Sequence, residues 1–184
     1  MHSDIELYRR YLAGDVSAYD ELLVRLGDGL TLFLNGYLHN WQDAEDLMIE
    51  AFARIMVKKP AIRDDGFKAY LYKTARNLAS RFHERNARRH LFSLDDMEEA
   101  RAEGMLPDEH ALDAEKREAL YVCLDRIDPE LREALWLVYW EGMSYEQTAS
   151  VMRVSKKRVD HLLTRGKTHM RRELEKEGIH HAFE

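Results

Sequence analysis

The chain has 184 residues, of which 45% are hydrophobic and 34% charged, and its formal net charge is −6. This length allows one ordinary domain or two small helical domains, and the apolar fraction is sufficient for a hydrophobic core. The net charge by itself argues against a nucleic-acid partner, and the single cysteine excludes both a disulfide framework and a thiolate metal cluster. Because the N-terminus lacks a basic leader and no segment reaches membrane-spanning length, we expect a cytoplasmic protein without direct membrane insertion.

Four helices are predicted in the first half of the chain. Apolar residues recur there at helical spacing, and the alternation typical of β-strands is scarce. The four apolar stripes can close one bundle of about 90 residues, a size that folds alone. The helices are expected to begin at Ser3 or Asp4, at a cap formed by Ser17, after His39-Asn40 and at Phe67, with the fourth extending to about Arg89.

Charge is distributed very unevenly along the chain. Residues 67–90 contain seven basic side chains and one acidic side chain, whereas residues 93–113 contain eight acidic side chains and one basic side chain. Gly104, Pro107 and the lack of apolar periodicity predict a linker over residues 91–112. The asymmetry therefore indicates two basic working surfaces separated by an acidic connector.

Helices are predicted again after the linker, over residues 113–127 and 129–141. Asp128 has the position of an N-cap, and Pro129 has that of the first helical residue, where its missing amide removes no hydrogen bond. Cys123 is expected to be a small apolar residue of the core, because free cysteine is among the most buried residue types.

Two further helices have the caps of a helix-turn-helix. Ser144 and Gln147 are spaced as in a capping box, and Ser155 has the position of the cap of the following helix. Ala149 is small at the point where the two helices must approach each other closely. Helix pairs of this kind also occur in proteins that never contact DNA, so the motif alone leaves a purely structural role open.

The last predicted helix is basic. A helix start presents free amides and the positive end of the helix dipole, which attract phosphate, and three cations lie in the first turn here. We therefore predict phosphate contacts by Lys156, Lys157 and Arg158, and groove-facing positions at Asp160, His161, Thr164, Arg165 and Lys167.

Four motifs coincide in order and spacing along the chain. They are Asp43-Ala44-Glu45-Asp46-Leu47 with Glu50 and Phe52, the run Phe67 to Ala79, the run Ile127 to Leu135, and the run Tyr139 to Ala149. With these motifs the chain resembles, over nearly its whole length, the extracytoplasmic function (ECF) class of bacterial sigma factors of the sigma-70 family.

The resemblance implies a fold class and a division into domains. It implies an all-α protein of two small helical domains joined by an acidic linker. The implied parts are a region-two four-helix bundle over residues 1–90, the linker over residues 91–112, and a region-four helix-turn-helix domain over residues 113–184.

The resemblance also implies a docking surface for core RNA polymerase on the third helix. In the family, this acidic helix binds a coiled coil of the largest polymerase subunit, and carboxylates on a helix face complement an arginine-rich partner. The first two acids can alternatively serve only the helix dipole. The implied polymerase-binding residues are Asp43, Glu45, Asp46 and Glu50.

The basic fourth helix and the loop before it match the part of the family that opens the minus-ten promoter element and captures a flipped base. Such capture requires cations for the backbone, with flat surfaces or amides for unstacked bases. Asn77 is the expected base reader, and either Tyr70 or Tyr72 is expected in the core. The implied minus-ten residues are Tyr70, Lys73, Arg76, Asn77, Arg81, Arg85, Arg88 and Arg89.

Several positions depart from the family pattern. Arg153 lies in the turn where glycine is usual, so either a left-handed residue is strained there or the turn differs. Asp160 stands where a basic residue is common, Ile49 where a glutamine is common, and Gly166 is expected to weaken the last helix by about 1 kcal/mol. The departures leave the minus-thirty-five sequence open.

The expected function is transcription initiation: the chain binds core polymerase and directs it to promoters, with no covalent chemistry, cofactor or metal of its own. Phosphate loops, nucleophile motifs and ligand-spaced clusters are lacking. The alternative is a helix-turn-helix regulator that binds duplex DNA without polymerase. Expected partners are core RNA polymerase, promoter DNA and an anti-sigma protein, although control through the C-terminus or phosphorylation is also open.

The linker has two possible roles. Its acidic residues resemble RNA electrostatically, and in the family the connector passes through the active-site and RNA-exit channel of polymerase. It can equally be a solubilising tether.

Overall fold

The computed structural model describes residues 2–63, 65–92 and 120–178, with the backbone alone described at residues 89–92. The chain divides into two compact units, Met1–Glu103 and Gly104–Glu184, and every regular element among the described residues is helical. The elements are α1 (Asp4–Leu12), α2 (Ser17–Leu38), α3 (Trp41–Lys58), α4 (Phe67–Phe92), a helical segment at residues 120–125, α5 (Pro129–Leu135), a π-helix (Trp136–Trp140), α6 (Tyr145–Met152) and α7 (Lys156–Lys176).

Side-chain caps begin α1 and α3, whereas α2 begins differently from the prediction. Ser3 and Glu6 form a complete capping box at the start of α1. The predicted cap by Ser17 is wrong: Ser17 is already helical, and the carboxylate of Asp15 accepts hydrogen bonds from its amide (3.1 Å) and its hydroxyl (2.6 Å). The first amide of α2 is therefore bound by a carboxylate two residues upstream and not by the hydroxyl of Ser17.

The first unit is a four-helix bundle in which α2 packs against α1, α3 and α4. Its fully buried side chains include Leu22, Leu30, Phe52 and Leu71. Burial of side chains of this size contributes roughly 1.5–3 kcal/mol each. A polar contact also joins α4 to α2, because Nε2 of His83 lies 2.9 Å from the carbonyl oxygen of Tyr37.

The loop between α3 and α4 is held at both of its ends by one side chain from α1. Tyr8 is buried, and its hydroxyl donates a hydrogen bond of 2.9 Å to the carbonyl oxygen of Pro60. Its ring centre lies 5.1 Å from that of Phe67, the first residue of α4. Burial raises the pKa of Tyr8 above its ordinary value.

The second unit packs α5 and α6 against α7. Leu124, Leu131, Val159 and Met170 are buried in its core. Cys123 is also buried, as expected, and burial raises the pKa of its thiol.

The caps predicted for the second unit are confirmed. The Asp128 carboxylate accepts from the Glu130 amide at 2.9 Å, with Pro129 as the first residue of α5. Ser144 and Gln147 exchange both bonds of a capping box. The Ser155 hydroxyl accepts from the Arg158 amide at 3.1 Å.

The helix expected over residues 129–141 is not α-helical throughout. From Trp136 the chain forms a π-helix, in which the Glu141 amide bonds to the Trp136 carbonyl oxygen at 3.1 Å. The wider winding places the rings of Trp136 and Trp140 almost parallel, with an interplanar angle of 4° and centroids 5.5 Å apart. Apolar periodicity does not distinguish this winding from an ordinary last turn.

The turn of the helix-turn-helix contains a left-handed residue. Arg153 ends α6 with φ 58° and ψ 42°, and its amide bonds to the Ala149 carbonyl oxygen. Of the two possibilities that the sequence left open, the strained one is correct. A side chain in this conformation costs roughly 1–2 kcal/mol, and glycine avoids that cost.

We expect Arg153→Gly to stabilise the second unit by about 0.5–1 kcal/mol, because the relief of strain exceeds the greater freedom of glycine in the unfolded chain. Chemical denaturation of the full chain measures the effect. Arg153→Ala is the control, since it keeps the Cβ atom and therefore the strain. A glycine variant no more stable than the alanine variant would contradict the prediction.

Gly166 has a packing role, which its low helix propensity did not predict. A Cβ atom at this position of α7 would lie 3.0 Å from Cγ and 3.1 Å from Cδ1 of Leu135, which is itself buried. The missing side chain therefore allows α5 and α7 to approach each other closely.

Gly166→Ala is expected to destabilise the chain by roughly 1 kcal/mol, because the tight contact with Leu135 outweighs the gain in helix propensity. Gly36→Ala in α2 is the control: a Cβ atom there meets nothing within 4 Å, so this change should stabilise by about 1 kcal/mol. In a Leu135→Ala background, Gly166→Ala should become favourable. Absence of such coupling in the double-mutant cycle would refute the packing explanation.

Candidate protein and nucleic-acid interfaces

The four acidic residues predicted on α3 occupy different environments. The Glu45 carboxylate accepts a 2.9 Å hydrogen bond from the Trp41 indole, and Glu50 forms an ion pair of 2.7 Å with Arg54. Asp43 is half-buried in the first turn. Asp46 is exposed and has no hydrogen-bond or ion-pair partner within the described part of the chain. Its charge is therefore the one most available to a second protein.

An apolar line accompanies Asp46 on the outer face of α3. Ile49 is 54% exposed and Val57 is 82% exposed, and the exposed Ala53 lies between them at four-residue spacing. Ile49 was already recognisable from the sequence as a departure from the family pattern, whereas the exposure of Val57 was not predicted. The helical period places Val57 opposite the buried Phe52, so a full helical wheel of α3 would have revealed the line.

Most residues predicted on α4 form a single line. Tyr70, Lys73, Asn77, Arg81 and Arg88 follow one another at intervals of three, four, four and seven residues, which places them along one helix face. Arg76 and Arg85 fall on the two flanks of that line, by the same helical spacing. The side chain of the remaining candidate, Arg89, lies outside the described set.

The structure distinguishes the two tyrosines of α4. Tyr72 is fully buried, with its ring centre 5.0 Å from that of Phe33, whereas Tyr70 is 38% exposed. Tyr72 is therefore the core residue, and Tyr70 presents a flat surface beside Lys73 and Asn77.

The outer face of α7 carries its own line of polar side chains. Lys157, Asp160, His161, Thr164 and Arg165 are all exposed. They lie opposite the buried face that begins with Val159 and Leu162, as the helical period requires. Four of the five predicted groove-facing residues therefore share one exposed face of α7.

Three of the predicted cations on α7 have partners within their own unit. Lys156 forms an ion pair with Glu146, and Arg158 forms one of 2.5 Å with Glu130. The Lys167 ammonium lies 5.0 Å from the centre of the Tyr139 ring, and hydrogen bonding to Tyr139 raises the pKa of Lys167. These three cations therefore interact with side chains of their own unit as well as with solvent.

Two further observations bear on the kind of site present. Within the described residues, no cluster of three or more histidine, cysteine or acidic side chains is arranged to hold a metal ion. None of the helices described combines the length and apolarity needed to span a bilayer.

The fold and these surfaces define a class: a two-domain helical protein with a helix-turn-helix in its second domain. Comparison with known protein families agrees. The family described as Sigma-70 region 2 matches residues 22–89, and the one described as Sigma-70, region 4 matches residues 117–170.

Individual proteins with similar sequences are also sigma factors. The chain is 30% identical over 158 residues to the RNA polymerase sigma-H factor of Pseudomonas aeruginosa, covering 81% of this chain and 82% of that protein. It is 29% identical over 162 residues to the ECF RNA polymerase sigma factor SigE of Mycolicibacterium smegmatis, covering 86% of this chain. The match spans 63% of the length of SigE.

The fold also matches that of a solved structure, the sigma factor RpoE of Bartonella quintana in complex with the anti-sigma factor NepR. The TM-score is 0.72 at 20% identity, covering 87% of this chain and 98% of the other. This chain belongs to the ECF class of RNA polymerase sigma factors in the sigma-70 family.

Tyr70→Ala and Tyr72→Ala should differ in their effect on stability. Tyr72→Ala empties a core position and is expected to cost about 3–5 kcal/mol of stability. Tyr70→Ala removes a partly exposed ring and should cost less than about 1 kcal/mol. Thermal unfolding of the two variants is the measurement, and equal destabilisation would show that Tyr70 is also a core residue.

Proposed function

We propose that this chain is an initiation factor that binds core RNA polymerase and directs it to specific promoters. Its first domain docks on polymerase and opens the minus-ten element, and its second domain reads the minus-thirty-five element. It performs no covalent chemistry and acts in the cytoplasm. The proposed domains are residues 1–90 and 113–184, joined by the acidic linker of residues 91–112, which lies outside the described residues apart from residues 91 and 92.

The observation that carries the proposal is the pairing of two different surfaces in one small bundle. The outer face of α3 offers Asp46 with an apolar line, which suits a protein partner. The line on α4 offers an aromatic ring, an amide and several cations, which suit unstacked bases and their phosphates. The two helices that carry these surfaces pack against each other, and Tyr8 contacts Pro60 and Phe67 at the two ends of the loop that joins them.

The alternative, a regulator that binds duplex DNA without polymerase, accounts only for the second domain. A helix-turn-helix that contacts a duplex has no need of a protein-docking face or a single-strand surface in a separate bundle. Both surfaces on α3 and α4 therefore favour the initiation factor.

We also propose control by an anti-sigma protein. Among chains of this fold, the sigma factor RpoE has been solved with the anti-sigma factor NepR, and CnrH has been solved with the cytosolic domain of CnrY. A free initiation factor would redirect transcription whenever it is made, so a partner that covers its docking surfaces is a direct means of control.

The remaining site assignments belong to the same proposal. Glu50 and Glu45 flank the docking face, and Arg54 and Trp41 hold their carboxylates in position. The groove-facing residues Asp160 and His161 set the minus-thirty-five preference, because a carboxylate accepts from cytosine N4 and an imidazole can donate to guanine.

Purified chain added to core polymerase tests the function directly. We expect co-elution on gel filtration and initiation at discrete start sites on genomic DNA fragments, with DNA binding that falls steeply as salt rises. Failure to bind core polymerase, with duplex binding retained, would support the regulator instead.

Asp46→Lys should weaken core binding by about tenfold or more, because it replaces an attraction to a basic partner by a repulsion. Asp28→Lys is the matched control: it makes the same charge change at an exposed position of α2. Fluorescence titration of labelled chain with core polymerase gives both affinities. Equal losses from the two variants would argue against a specific docking role for α3.

A further inference from the structure

The first turn of α7 presents an electrostatic conflict. Arg158 is expected to contact phosphate, yet its Nη2 lies 2.5 Å from Oε2 of Glu130, and its Nε lies 3.4 Å from Oε1. Lys156 is bound in the same way by the carboxylate of Glu146. Two of the three cations of this turn are therefore neutralised by carboxylates of the same domain. Lys157 has no such partner within the described residues.

Helix dipoles explain why the carboxylates sit where they do. Glu130 and Glu146 each lie in the first turn of a helix, α5 and α6, where the dipole stabilises a negative charge. Arg158 and Lys156 lie in the first turn of α7, where the dipole disfavours a positive charge. Each pair thus relieves a cation that its own helix does not stabilise, and the lowered pKa of Glu146, caused mainly by its hydrogen bond to Lys156, reflects this attraction.

The pairs are weak enough to be exchanged. Arg158 and Glu130 are each about 40% exposed, and Lys156 and Glu146 are more exposed still. Ion pairs of such exposure contribute little to stability, because both partners remain largely solvated. A DNA phosphate can therefore replace either carboxylate, but it must compete for the cation to do so.

We propose that Glu130 and Glu146 are internal competitors of DNA phosphate for Arg158 and Lys156. They lower the affinity of the second domain for DNA and reduce the number of phosphates that it neutralises. Binding then depends more on the exposed groove-facing residues and less on sequence-independent attraction, so the two carboxylates favour specificity over general affinity. This inference rests on the proposed function of α7.

The chain contains a matched pair for comparison. Arg126 and Glu177 form an ion pair of 2.6 Å with similar exposure, but Glu177 lies just beyond the opposite end of α7. Removal of its carboxylate changes the net charge of the domain by the same amount as removal of that of Glu130. A difference between the two variants therefore reports on the position of the carboxylate and not on total charge.

The test uses the full chain and a short fluorescent DNA duplex of mixed sequence, with anisotropy measured over a series of salt concentrations. Glu130→Gln and Glu146→Gln should each tighten binding roughly threefold to fivefold, as expected for release of a surface pair. Each should steepen the slope of log K against log salt by about one phosphate contact. Glu177→Gln should change the affinity less than about twofold, since its arginine has no phosphate to gain.

A double-mutant cycle makes the assignment specific. In an Arg158→Ala background, Glu130→Gln should have no effect on affinity or salt slope, because the contested cation is gone. Persistence of the effect in that background, an equal effect of Glu177→Gln, or no effect of either glutamine substitution would overturn the proposal. Lack of duplex binding by every variant at low salt would overturn it as well.

Folding and function are monitored separately. Unfolding temperatures of Glu130→Gln and Glu177→Gln test for a general loss of structure. Glu130→Asp is a further control, because it keeps the negative charge but has a shorter side chain. Transcription by the unsubstituted chain with core polymerase tests the proposed function independently. If that activity is present and the glutamine variants bind DNA as the original chain does, the competition fails while the proposed function stands.

Discussion

Burial of one face on each helix is the constraint from which the working surfaces of this sigma factor follow. On α4, Leu71, Tyr72, Ala75 and Leu78 are buried in the core. The helical period then places Tyr70, Lys73 and Asn77 on the outer face. The same rule on α3 leaves Asp46 and the apolar line outside. The surfaces proposed for polymerase and single-stranded DNA are thus the complement of one hydrophobic core.

Charge in this protein divides into groups used internally and groups left for partners. Glu45, Glu50, Arg158 and Lys156 are engaged within their own domains, whereas Asp46 is exposed without a partner among the described residues. A net charge of −6 conceals this division. Because exposed pairs are weak, the engaged cations of α7 remain exchangeable, and the proposed competition would change the strength of DNA binding more than its location.

The geometry of the helix-turn-helix domain requires two locally unfavourable choices. Arg153 accepts a left-handed backbone so that α6 and α7 can be joined by a tight turn, and Gly166 gives up helix propensity so that α7 can approach Leu135. In both places tertiary packing overrides local preference. The observed turn therefore keeps the expected arrangement of the two helices, although the residue in it departs from the family pattern.

The sequence by itself determined the family and the starts of α1, α3, α5, α6 and α7, because caps and apolar spacing are local properties of the chain. The start of the helix predicted over residues 113–127 lies outside the described residues. The sequence did not decide which tyrosine of α4 is buried, how the π-helix winds, or that Asp15 and not Ser17 caps α2. It also gave no sign that Glu130 holds Arg158, a contact across 28 residues. Only the tertiary structure decides such points, since they depend on which atoms distant segments bring together.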